Sequence, residues 1–306
     1  VKYGTVPHFD KEISRLVMGV IPLPHNDLVL AFELLDAYRA AGGNIIDNSY
    51  HYGPGFSAVM KAYYEARGED ALIRFDKGNH HYYGAPDGGM RLTKEAMDEE
   101  IRGNIERQGV SYSDFYVMHR DDENVPIGDV VEWLNEHKNE GRIRVFGGSN
   151  WKTYRIQAAN EYAEAHGLQG FSVSSPNLSL ATANEEMWTG AWSISDNREE
   201  RDWYEKTQFP LFSWSSGGGG FFAHVDSGDV HRVYDNPTNF ARRERLEAMA
   251  AEKGVTPTQL ALAWTLNQPI NSFALIGPRT VEQVQDNVVA ADIELTSAEV
   301  NHLELG

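Results

Sequence analysis

The 306 residues include no cysteine, and 41% of them are hydrophobic, 24% charged and 11% aromatic, so the chain can bury a large core but can form no disulfide, thiolate nucleophile or cysteine zinc site. A formal charge of −18 excludes nucleic acid and anionic membrane surfaces as partners, because both need cationic side chains to displace counterions. No apolar run approaches the roughly 20 residues of a membrane span and Val1-Lys2-Tyr3-Gly4 has no export-signal character, so cytoplasmic residence is the matching expectation.

Short β-like runs alternate with longer helical ones along almost the whole chain, the pattern of repeated βα units around a parallel sheet. A first strand is predicted over 15–20, after a short segment with hairpin character. The helix over 28–41 carries Leu30, Phe32, Leu34, Leu35 and Tyr38 at helical spacing and is ended by Gly42-Gly43. A second strand follows in Asn44-Ile45-Ile46-Asp47, with Tyr52 on the loop beyond it, and Gly53-Pro54-Gly55 breaks the chain before a helix over 56–67. Strands are then predicted over 72–77, 114–119, 143–148 and 170–175, separated by helices over 93–108, 127–139 and 153–166. Residues 181–209 depart from this rhythm as a polar, Trp-containing excursion longer than the usual connection. A seventh strand over 210–214 leads into Ser215-Ser216 and the glycines 217–220. Helices over 240–253 and 259–267, an eighth strand over 272–277 and a helix over 281–291 complete the pattern. Eight strands in a chain of this length predict an α/β fold, one closed (β/α)8 TIM barrel occupying residues 1–306 as a single domain.

In such a barrel the C-terminal ends of the strands share one mouth. Asp47, Lys77 and His119 occupy the ends of the second, third and fourth strands, and Tyr52 lies just beyond the second. Lys77 at an apolar strand end needs an anion, and Asp47 on the neighbouring strand supplies one. A cation near Tyr52 is expected to lower the pKa of the phenol and fit it for proton transfer, while His119 orients or polarises a carbonyl.

Asp47-Asn-Ser-Tyr-His-Tyr-Gly53, Lys77-Gly78 and His119-Arg120-Asp121-Asp122 together resemble the aldo-keto reductase pattern, in which Asp, Tyr, Lys and His form a catalytic tetrad. The likeness implies Tyr52 as proton donor, tuned by Lys77 and Asp47, with His119 beside it. Gly148-Ser149-Asn150-Trp151 resembles the pair that holds the nicotinamide carboxamide, here Ser149 and Asn150, and Ser175 stands where the family carries a supporting Gln. Trp214 matches the aromatic residue that stacks on the nicotinamide. Ser215, Ser216 and Gly217 open a segment whose backbone can approach a pyrophosphate closely. Ile276-Gly-Pro-Arg-Thr280 with Glu282-Gln283 and Asp286-Asn287 resembles the segment that binds the adenosine end, which assigns Gly277, Arg279, Thr280, Gln283 and Asn287 to the cofactor. Arg279 at a helix start suits a 2′-phosphate or stacking on adenine, so NADP(H) is the expected cofactor and NAD(H) the alternative.

The resemblance therefore implies NAD(P)H-dependent, reversible reduction of an aldehyde, ketone or keto-sugar by hydride transfer. Loops 22–27, 80–90, 121–125 and 181–209 would set specificity. Their aromatics (Tyr82, Tyr83, Trp188, Trp192) and polar groups (His80, His81, Asp121, Asn184) suit a sugar-like carbonyl compound. Two rival readings are a nucleotide-binding regulatory barrel with little turnover and a metal-dependent barrel hydrolase or isomerase using His80, His81, His119 and Asp47.

Overall fold

A computed structural model describes residues 2–82 and 89–306, so Tyr83 and most of its loop lie outside the described residues. The chain begins with an antiparallel hairpin of β1 (Tyr3–Gly4) and β2 (Ile13–Ser14). Eight parallel strands then close into a barrel: β3 (Leu16–Gly19), β4 (Ile45–Ser49), β5 (Ile73–Gly78), β6 (Ser113–Met118), β7 (Ile143–Ser149), β8 (Val173–Ser175), β9 (Leu211–Ser213) and β10 (Ser272–Ile276). Strand order around the barrel follows chain order, and β10 closes against β3.

Side chains alternate across each strand, which separates two packed regions. One set turns inward, and Phe75, Phe115, Phe212 and Phe273 fill the barrel interior with Phe9 from the segment that precedes β2. Phe212 stacks on Phe273 at 4.4 Å and on Phe75 at 4.7 Å, so the interior is a solid floor rather than a channel. The other set faces the helices. Ile46, Leu16 and Met18 pack beneath α1 (Leu28–Ala40) and α2 (Pro54–Arg67), and Tyr116, Met118 and Phe146 pack beneath α3 (Lys94–Gln108), α4 (Ile127–Asn139) and α5 (Thr153–His166). Thr93 caps the α3 N-terminus by accepting from Ala96 N, and Gly109 ends that helix in the left-handed conformation that costs glycine little.

The excursion over 181–209 contains a helix, α6 (Arg198–Thr207), that the sequence pattern hides. Its first five residues are all charged, and the buried side chains are Glu200, Arg201 and Tyr204 rather than an aliphatic stripe. Arg201 is satisfied by Glu304 and Gln268, so charge complementarity does here what apolar periodicity does elsewhere. Two further short helices, α7 (Gly228–Tyr234) and, after α8 (Pro237–Lys253), α9 (Pro257–Leu266) and α10 (Val281–Ala290), α11 (Ser297–Leu305), also extend the expected pattern. The glycine run makes a kinked turn, with φ of +74°, +61° and +97° at Gly218, Gly219 and Gly220, left-handed values that favour glycine. Among the described residues no helix is long and apolar enough to cross a membrane.

Candidate active site

Strand pairing puts Asp47 of β4 beside Gly19, Ser49 beside Lys77, and Lys77 of β5 beside Val117. All of these belong to the inward set, and at the last rung of the barrel they stand above the phenylalanine floor. Lys77 Nζ lies 2.7 Å from Asp47 Oδ2, with both side chains almost wholly buried. The Tyr52 ring lies against the same ammonium, its centroid 5.9 Å from Nζ, delivered back over the strand ends by the short turn Tyr50–Tyr52. His119, the residue after β6, packs edge-on against the Tyr52 ring at 5.8 Å between centroids. The four groups expected from the sequence thus meet on one cavity of about 480 Å³ at the C-terminal mouth.

The electrostatics of this cluster follow from burial. Burial alone would strip the proton from Lys77, but the Asp47 carboxylate and Tyr52 outweigh it and hold the ammonium above its ordinary pKa. Tyr52 corrects the expectation stated above: burial raises its pKa, and the pull of Lys77 in the opposite direction does not overcome that. The phenol therefore keeps its proton near neutrality and is a donor first. His119 is driven well below the usual imidazole range by burial, with the charge of Lys77 and the groups of His80, Arg120 and His51 acting in the same direction, so it is neutral.

Two more imidazoles complete this wall. His51 and His80 stack face to face at 3.9 Å with 8° between planes, and His80 meets His119 edge-on at 4.6 Å. Burial takes His80 down to about 3 and lowers His51 as well, so the stack is a neutral one. A group whose folded-state pKa is depressed contributes stability that is complete above its unfolded pKa of about 6.5 and is lost as pH falls toward the folded value. Thermal melts are therefore expected to show Tm falling as pH is lowered from about 6.5 to about 5. A Tm that rises over that interval would contradict the neutral assignment of His80 and His119.

Asn150 organises the opposite side. It sits at φ +63°, and its amide donates to the His119 backbone oxygen at 3.2 Å and to Ser149 Oγ at 3.1 Å. Its carbonyl oxygen accepts from Trp192 N at 2.9 Å and from Trp214 Nε1 at 3.0 Å. One amide thus ties together β7, the long loop and the residue that follows β9. Trp188 from the same loop packs against Trp214 at 5.5 Å with about half of its surface open.

Ser149, Asn150, Trp214, Ser215 and Gly277 line the cavity together with the tetrad. Ser175 does not: it is fully buried, too short to reach the wall, and its Oγ has no hydrogen-bond partner. Ser216 is also buried, its hydroxyl donating to Leu275 O at 2.8 Å and so joining β9 to β10. Gly217 lies at the next turn, where a Cβ would meet open space. Arg279 is exposed at the start of α10 and forms no ion pair among the described residues, while its backbone N donates to Gln283 Oε1 at 2.7 Å. Thr280 caps that helix by accepting from Gln283 N, and Asn287 is half-buried on its second turn. These residues lie outside the cavity lining, beyond the Gly277 end.

Of the loop groups expected to meet substrate, Asp121 is held by a bidentate contact from Arg155 at 3.0 Å and Asn184 donates to the Arg232 and Asp235 carbonyls. Neither lines the cavity, and neither does Trp192, whose loop is pinned through Asn150. Residues that sequence reasoning passed over take their places: His51, Arg120 and Ile21 line the cavity, and Ser49 is buried behind it against His119. Ser49 was findable, since it lies two residues after Asp47 and strand alternation gives both the same face. Arg120 and Ile21 carry no such signal, because their positions depend on loop paths.

The sequence model of the Aldo/keto reductase family matches residues 15–305. A putative aryl-alcohol dehydrogenase of Saccharomyces cerevisiae is 26% identical over 298 residues, covering 90% of this chain and 76% of that relative. Norsolorinic acid reductase B of Dothistroma septosporum is 25% identical over 293 residues, covering 90% of this chain and 71% of that protein. The crystal structure of a thermostable aldo-keto reductase in complex with the inhibitor epalrestat superimposes with a TM-score of 0.76 at 20% identity, covering 99% of both chains, a likeness of fold.

Proposed function

Because this chain belongs to the aldo/keto reductase family, we propose that it reduces the carbonyl of a small aldehyde or ketone, reversibly, with Tyr52 giving the proton to the nascent alkoxide. The observation that carries this is the convergence of Tyr52, Lys77, Asp47 and His119 from three neighbouring strand ends on one cavity. Lys77, held charged by Asp47, stabilises the phenolate that Tyr52 becomes when its proton leaves, and neutral His119 faces the carbonyl from the side. The reverse oxidation uses the same groups with Tyr52 as base. Lys77 against Asp47 also argues against a metal-dependent reaction, since a cation bound at Asp47 would face an ammonium 2.7 Å away.

The residues present fit a nicotinamide dinucleotide, which when bound supplies the hydride. Trp214 offers a flat face on the cavity wall, and Ser215, Gly217 and Gly277 allow close approach of backbone to phosphate oxygens. Arg279, exposed at a helix start, would hold a 2′-phosphate in an otherwise acidic protein, which favours NADP(H) over NAD(H). For the substrate, the aromatic surfaces of Trp188, His51 and His80, with Asp121 and Asn184 bound elsewhere, suit a flat, aromatic carbonyl compound better than a polyhydroxylated one. The printed names of the relatives, aryl-alcohol dehydrogenase and norsolorinic acid reductase, agree with that choice.

Quenching of tryptophan fluorescence by NADPH and NADH, followed by turnover with aryl aldehydes and keto-sugars, tests both parts. Arg279→Ala is expected to weaken NADPH about tenfold and leave NADH unchanged, the loss of one charge-assisted hydrogen bond. Binding of neither nucleotide would end this reading, and an equal effect of the substitution on both would end the 2′-phosphate assignment.

A further inference from the structure

Ser49 ends β4 fully buried, and its Oγ makes two hydrogen-bonding contacts among the described residues. It accepts from the His51 backbone N at 3.3 Å, which caps the turn Tyr50–Tyr52 and so sets the end of the segment that carries Tyr52. It also lies 3.1 Å from His119 Nδ1. A hydroxyl has one proton to give and two lone pairs, one of which takes the His51 N–H; no other acceptor contacts this oxygen among the described residues. His119 Nδ1 is the acceptor left for that proton.

We propose that Ser49 is a positioning residue for carbonyl reduction: its hydroxyl donates to Nδ1 of His119, which places the imidazole proton on Nε2, the nitrogen that remains for the cavity. The carbonyl oxygen of a substrate then meets an N–H donor. In the other neutral tautomer it would meet a lone pair, and oxygen and nitrogen lone pairs repel. This assignment rests on reading the site as a carbonyl reductase, and it deepens that reading in one respect. A single hydroxyl fixes both the turn that delivers Tyr52 and the tautomer of His119, so the two donors that would flank a carbonyl share one reference point.

Burial and the cationic and imidazole neighbours of His119 act in one direction. Lys77 on β5, His80 on the loop after it, Arg120 after β6 and His51 on the turn all disfavour an imidazolium, with Asp47 and Tyr52 across the cavity. With the ring neutral, the choice between its two tautomers falls to whatever touches Nδ1, and Ser49 is that group.

The test uses the full chain and reads the tautomer directly. Nitrogen–proton correlation spectra of His119 near neutral pH should show the wild-type proton on Nε2 with Nδ1 as acceptor. Ser49→Ala should give a mixture of tautomers and a raised His119 pKa, because a donor to the neutral ring has been removed. It should lower kcat by about tenfold, the weight of one hydrogen bond, with nucleotide affinity unchanged. A wild-type spectrum with the proton on Nδ1 overturns the proposal. So does a Ser49→Ala chain that melts earlier but keeps the wild-type tautomer, which marks a purely structural hydroxyl. A wild-type chain that reduces no carbonyl sinks the reading of the site, while the spectrum still decides the tautomer.

Discussion

Tyr52→Phe is expected to reduce turnover by about 10²- to 10⁴-fold, the usual contribution of a positioned proton donor, while the dissociation constant of the nucleotide stays within a factor of about two. The substitution removes only the hydroxyl. The ring keeps its edge-on contact with His119 and its position over Lys77, whose Nζ is 5.9 Å from the ring centroid. Folding should be little affected, because Asp47, the ion-pair partner of Lys77, remains. Single-turnover reduction of an aryl aldehyde, beside a fluorescence titration with NADPH, measures both quantities. Retained turnover would remove Tyr52 from the proton transfer and leave His119 as the remaining donor of the cluster.

The second large effect is on stability. Asp47→Asn leaves the Lys77 ammonium buried with no counter-charge, and breaking such a pair from one side costs about 3–5 kcal/mol. Asp47→Leu combined with Lys77→Met should recover most of that loss, because an apolar pair of similar volume carries no desolvation penalty, yet it should not recover turnover. The pH dependence distinguishes this from a general packing defect. Lys77 has a folded-state pKa raised above its unfolded value, so its stabilisation is complete below about 10.4 and is lost as pH rises through the folded value. Denaturant unfolding of the wild type should therefore weaken at strongly alkaline pH, and the doubly substituted chain should lack that component. If Asp47→Asn alone unfolds at the wild-type denaturant concentration, the pair is not what holds the strand ends together.

The barrel and the four groups at its mouth were legible because both depend on short-range rules. Alternation and chain breakers locate strands, and a charged residue at the end of an apolar strand has few places to go. The ionisation of Tyr52 was not legible: a nearby cation can be inferred from Lys77, but the depth of burial that outweighs it cannot be read from neighbours in sequence. The same limit applies to α6, whose buried Arg201 is answered by Glu304 about 100 residues away. It applies to Asp121 as well, which looks available to a ligand until Arg155 is brought against it. Long-range pairing of polar groups leaves no periodic trace.

Asp47 and Lys77 sit on β4 and β5, and Tyr52 and His119 closely follow β4 and β6, strands whose spacing the hydrogen-bond ladder fixes, whereas Trp188, Ile21 and Ala191 reach the cavity on loops. Reactivity and selectivity are therefore inherited as separable traits. A descendant can exchange the segment over 181–197 and acquire a new preference without disturbing the four groups at the mouth, provided that its backbone still finds Asn150 and Asn177. Those tethers are the compatibility requirement that a grafted segment would have to satisfy.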